Sequence, residues 1–172
     1  MDTQTKLTAV RPALAAVDGF APDSRVWIYL ADRPLSDQEA AGAQESLNTF
    51  VRQWTAHNQA LKAAAEVFQR QFILLMVDDT QAGASGCSID KSVHFLEQLG
   101  LRLGVDFFER MRFAWVKENT LQFASRDDLH RQVRAKEIAD DTLMINTMVQ
   151  NKRELAENWL MPFARSWHRR LL

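Results

Sequence analysis

The chain has 172 residues, 47% hydrophobic and 25% charged, with 21 Lys and Arg against 22 Asp and Glu for a formal net charge of -1. This balance fits one globular domain and gives no long-range attraction to phosphate backbones or anionic membranes, so neither nucleic acid nor membrane is expected as a partner. A single cysteine excludes an internal disulfide framework, the polar residues 1–6 lack a signal core, and the longest strongly apolar stretch, residues 72–77, is too short to span a bilayer; the expected location is the cytoplasm.

Residues 1–22, Ala-rich with Pro12, Gly19 and Pro22, read as an N-terminal arm. Residues 23–172 then form a single α+β domain whose C-terminal tail folds back. Val26-Trp27-Ile28-Tyr29-Leu30 is a compact β run closed by Asp32-Arg33-Pro34. Ser36 and Glu39 have capping-box spacing, and Ala40, Ala43, Leu47, Phe50, Val51 and Trp54 recur at helical spacing, which predicts a helix with one buried face. Residues 62–79 predict two strands joined by a tight turn near Gln69-Arg70. The second of them, apolar throughout residues 72–77, reads as a central strand covered on both faces. A loop with Gly83 and Gly86 leads into a second helix, with Val93, Leu96, Leu99 and Leu103 inward and Gly100 and Gly104 as stop points. Residues 112–124 predict a strand pair turning at Glu118-Asn119, and Ser125 with Asp128 caps a third helix over residues 129–139. Residues 142–149 fit neither period; Asn151 and Glu154 then cap a short helix through Trp159, stopped before Pro162.

The order strand, helix, two strands, helix, strands predicts a split β-α-β (ferredoxin-like) fold: an antiparallel or mixed sheet with helices on one face, plus a C-terminal helical extension. The short turn at Gln69-Arg70 argues against a doubly wound parallel sheet, which needs crossovers.

Three separated motifs carry a resemblance. Trp54-Thr55-Ala56-His57, the run Gly86-Cys87-Ser88-Ile89-Asp90 continuing into Ser92-Val93-His94-Phe95, and the closing Ser166-Trp167-His168-Arg169 together resemble a family of small bacterial proteins typical of the Bacteroidetes. Ser24-Arg25-Val26-Trp27-Ile28-Tyr29 fits the same pattern, and the resemblance covers residues 23–172. Members of that family often carry the label "ABC transporter ATPase", although the family's function is not established. The chain lacks what such an activity requires: none of its 6 glycines is followed by Lys and then Ser or Thr, so no G-x-x-x-x-G-K-[ST] loop exists to cradle phosphates. Gly83-Ala84-Ser85-Gly86-Cys87-Ser88 is the nearest approach, and Val77-Asp78-Asp79 imitates a Walker-B strand only superficially.

Cys87, at the mouth of the second helix, is the leading chemical candidate. The positive end of a helix dipole favours thiolate there, and nearby N–H groups can hold an oxyanion. The competing reading is a small buried residue where the loop enters the core. His57 is the expected catalytic partner of Cys87, or else a helix C-cap histidine; Asp90 either orients that base or caps the helix, and Ser88 is an equally ordinary cap. Trp54, His168 and Arg169 are the expected ligand-binding residues, with the tail bringing imidazole and guanidinium to a small anionic ligand. The alternative makes Trp54 a core residue, Trp167 an anchor for the terminus and the arginines a solvated end. His94 reads as structural. Cys87, Asp90, His57 and His168 are acceptable zinc ligands but lack the paired spacing of a zinc motif, so no metal is expected, and no cofactor class is implied.

Two function classes follow. One is a small thiol-dependent hydrolase or transferase built on Cys87, His57 and Asp90. The other is a non-catalytic interaction or assembly module, in which some of the 5 Trp and 10 Phe form a surface patch or an edge strand pairs a homodimer.

Overall fold

The computed structural model describes residues 7–172. Strand β1 (Arg25–Leu30) leads into helix α1 (Asp37–Gln53), the short strands β2 (Thr55–Ala56) and β3 (Gln59–Ala60), and the hairpin β4 (Lys62–Phe68) and β5 (Phe72–Asp78). Helix α2 (Gly86–Leu103) follows, then a second hairpin, β6 (Arg112–Lys117) and β7 (Thr120–Ser125), and helix α3 (Arg126–Arg134). The chain ends with β8 (Leu143–Ile145), α4 (Lys152–Asn158), β9 (Leu160–Pro162) and two 3-10 turns, Phe163–Arg165 and Trp167–Leu171.

Local chemistry sets most of these boundaries. Ser36 and Glu39 close a capping box at the start of α1. Gly104, in the left-handed region at φ 66°, ends α2, with Val105 N–H returning to Gly100 O at 3.0 Å. Each hairpin turns on two residues of positive φ: Gln69 and Arg70 at 52° and 56°, Glu118 and Asn119 at 51° and 62°. Such turns match the right-handed twist of the strands they join.

All paired strands are antiparallel, and apart from the two-stranded β2-β3 ribbon they make two stacked sheets. The first has the order β1-β5-β4 and the second β7-β6-β8-β9. Helices α1 and α2 cover one face of the first sheet over a core containing Leu47, Trp54, Ile73, Leu75 and Leu96. The other face packs against the second sheet through Val26, Leu30, Phe72, Leu74, Met76, Ala114 and Ile145, joined by Trp159. A third core, with Phe113, Trp115, Leu129 and Phe163, lies on the far side of the second sheet. The molecule is therefore layered helix, sheet, sheet, helix and turn. Strand β5, buried at every residue, is the covered central strand that its sequence predicts.

Several expectations need correction. The strands after α2 do not extend the first sheet. The β6 sequence alternates Phe113 and Trp115 with Ala114 and Val116, and both sets are apolar. That pattern demands cover on both faces, which a separate stacked layer supplies. The C-terminal extension is not wholly helical, because β8 and β9 complete the second sheet. Helix α3 stops at Arg134, short of the expected residue 139, where Lys136 turns to φ 59°.

Residues 8–17 lie across the second core and bury Val10 and Leu14. The Glu66 carboxylate accepts from Ala13 and Leu14 N–H at 2.9 Å each, and Trp159 Nε1 donates to Val10 O at 2.9 Å. Along the outer side of β4, Gln44 of α1 takes the place of a neighbouring strand: its Oε1 accepts from Val67 N–H at 2.7 Å and its Nε2 donates to Ala65 O at 3.1 Å.

Candidate functional site

The Trp54 and Cys87 motifs do meet. Trp54 Nε1 donates to Ser88 O at 2.8 Å and fastens the end of α1 to the first turn of α2. This bond spends the only indole donor, and the side chain is buried, so Trp54 fastens two elements and does not face a ligand. Ser85, rather than Ser88 or Asp90, caps α2. Its hydroxyl accepts from Ser88 N–H at 3.2 Å, and Ser88 Oγ accepts from Ser85 N–H at 2.7 Å. The glycine-containing approach to the helix thus closes on itself. Cys87 is a free, exposed thiol at the second helical position, not a buried core residue. Asp90 is exposed on the same helix. His57 is exposed at φ 52° in the two-residue turn between β2 and β3, not at a helix C-cap. None of Cys87, His57 and Asp90 lines any of the cavities described below.

The C-terminal motif sits elsewhere. His168 packs in the third core, edge-on to Phe113 and stacked on Trp167 with ring centroids 3.9 Å apart. Both sheets therefore lie between it and the Cys87 corner. Contrary to expectation its imidazole is withdrawn from ligands: the residue is 1% exposed and Nδ1 has no hydrogen-bond partner among the described residues. Burial pushes His168 down to about 4, which keeps the ring neutral at pH 7. Arg169 pairs with Asp140 at 3.1 Å and lines an open cleft of about 470 Å³ with Arg165, Arg170, Asn146 and Trp167; no carboxylate of the described residues lines it.

Trp167 and Met148 also line a neighbouring cavity of about 290 Å³ at the end of the layer between the sheets. Its floor is the outer side of β1 at Ile28, Tyr29 and Leu30, and one wall is the loop from Phe107 to Arg110. Arg112, the first residue of β6, shares the inward-facing parity of Ala114 and Val116 and points into the gap between the sheets. Gln71, buried in the turn before β5, receives it: with the amide oriented to match donors to acceptors, its oxygen accepts from Arg112 Nε and Nη2 at 3.2 Å each. Among the described residues, no carboxylate pairs with Arg112, nor with Arg110. Glu109, the one acid in the wall, accepts from Met111 N–H at 2.6 Å. Trp167 Nε1 is buried and lacks a hydrogen-bond partner among the described residues.

A guanidinium has five N–H donors. Two go to Gln71, which leaves the Nη1–Nη2 end free to take a carboxylate or similar oxyanion in a fork. Arg112 also lines an adjoining cleft of about 440 Å³ with Ser125, Arg126 and the acids Asp32, Glu109 and Asp127, none of which pairs with it. Two signals in the sequence point here without naming a site: a charge on the apolar parity of Arg112-Phe113-Ala114-Trp115-Val116, and an amide among phenylalanines at Phe68 to Phe72.

No family model, curated protein or solved structure matches the chain. No helix among the described residues is long and apolar enough to cross a membrane, and none of their His, Cys, Asp and Glu side chains gather in a group of three or more able to hold a metal.

Proposed function

We propose that this protein binds an anionic ligand in the cavity between β1 and β6, with Arg112 as the anion-recognising group and Trp167 as the wall. One observation carries the reading: a guanidinium held by a buried amide, and ion-paired to no described carboxylate, faces a formed cavity. An isolated cation in such a place costs desolvation, and a bound anion offsets it. Arg165, Arg169 and Arg170 of the neighbouring 470 Å³ cleft favour the same class of ligand. The reading is a binding role rather than thiol chemistry, since the exposed Cys87 lines none of the cavities described above.

A split β-α-β origin for the first half of the chain is supported by the order β1-β5-β4, in which β5 lies between the two strands that α1 connects. In that scheme the cavity occupies the place beside β1 where a fourth strand would lie.

Titration with acetate, followed by the Nε–H resonance of Arg112 and the indole resonance of Trp167, tests the binding role. Saturable shifts of both are expected, with the Trp167 response lost in Arg112→Gln. Linear drift without saturation, or an unchanged response in that variant, rules the site out.

A further inference from the structure

The floor of the cavity is an interrupted sheet edge. On one side of β1 lies β5; among the described residues the other side carries no strand, only an isolated bridge from Arg25 to Asn151. Alternate residues point their N–H and C=O to that outer side. At one end they are satisfied: Ser24 O accepts from Lys152 N–H at 2.9 Å, and Val26 N–H donates to Gln150 O at 3.0 Å. Just past the other end, Asp32 N–H donates to Asp106 O at 3.0 Å. Between them the same parity gives Ile28 and Leu30, and no described residue pairs with their outward N–H or C=O. Both residues line the cavity. A gap of four unmade backbone hydrogen bonds, flanked by made ones, is a slot for an extended chain.

The slot has a direction. Gln71 O accepts from Ala31 N–H at 2.8 Å, and the Gln71 side chain holds Arg112. Arg112 therefore stands at the Leu30 end. From Val26 to Asp32 the strand covers about 20 Å at roughly 3.3 Å per residue, and both ends are blocked by Gln150 and Asp106. A continuous polypeptide would have to arch in and out, whereas a chain end can stop inside. The walls at Phe107, Phe108, Met148 and Trp167 are apolar, and among the described residues the cation at the end forms no ion pair, the nearby Glu109 carboxylate accepting instead from Met111 N–H.

We propose that the open stretch of the β1 edge receives the last three or four residues of a peptide, added parallel to β1, with an apolar final side chain and its terminal carboxylate on Arg112. This rests on the anion-binding reading and specifies its ligand. Main-chain hydrogen bonds to Ile28 and Leu30 supply affinity independent of sequence, and the fork of Arg112 selects for a chain terminus.

The test uses two degenerate pools of N-acetylated tetrapeptides built from Val, Ile, Leu, Thr and Phe, one as free acids and one as carboxamides. Each is passed over the immobilised full chain and quantified by mass spectrometry. Free acids should be retained at least tenfold over carboxamides, and Arg112→Gln should remove the preference. In parallel, the 15N-labelled protein with the free-acid pool should show shifted, slowly exchanging amides at Ile28 and Leu30, a readout that needs no variant to fold. Equal retention of the two pools, or unmoved Ile28 and Leu30 amides, overturns the proposal. If acetate still shifts Arg112 while the peptides do no better than acetate, the peptide inference fails and the anion site stands. If neither moves Arg112, both fail.

Discussion

The Cys87 corner and the Arg112 cavity both bring together residues far apart in the chain, but they treat polar groups in opposite ways. At the Cys87 corner the groups are consumed locally: Ser85 and Ser88 cap each other, and the Trp54 indole is bound to Ser88 O. At the cavity they are held ready and left open, with Arg112 fixed by Gln71 on one side only and Ile28 and Leu30 unpaired on their outer side. Unmade hydrogen bonds on rigid elements mark a binding site more reliably than a rare residue type does, because each costs stability until something completes it.

The largest test of this contrast is acid. His168 is neutral in the fold, held at about 4 against an ordinary 6.5. As pH falls through that window the unfolded chain takes up the proton first, so stability is full above pH 6.5 and drops by about 3 kcal/mol down to pH 4. Urea melts across this range should show the loss, and His168→Phe should flatten it; an identical slope in the variant would mean that other groups drive it. Gln71→Leu comes next. It removes the holder of Arg112, costs about 2 kcal/mol, and should weaken acetate binding; wild-type affinity in this variant would show that Arg112 needs no positioning. Ser85→Ala should cost about 1 kcal/mol through the lost cap and leave acetate binding untouched. Cys87→Ala should be smallest, within about 0.5 kcal/mol. Measured loss of acetate binding in either of the last two variants would erase the distinction between the regions.

The elements were legible where the code is local. The capping box at Ser36, the turns at Gln69-Arg70 and Glu118-Asn119, and the uninterrupted apolar run of β5 each announce themselves within a few residues. The division into two sheets was not, because it depends on which face of β6 meets which face of β1, and that is settled by packing between distant segments. The cavity was hidden for the same reason: Ile28, Phe107, Arg112, Met148 and Trp167 converge only once the sheets stack. Trp167 was singled out by its motif, yet as an anchor, and Arg169 reached a cleft while its neighbour His168 went into the core. Cys87 drew attention through its uniqueness, which carries no information about its surroundings.

Gln44 gives the first sheet a handed future. By presenting an amide to Val67 and Ala65 it behaves as a one-residue strand and occupies that part of the outer edge of β4. A strand arriving on that flank would have to displace the amide at Val67 and Ala65, so addition beside β1 is favoured over addition beside β4.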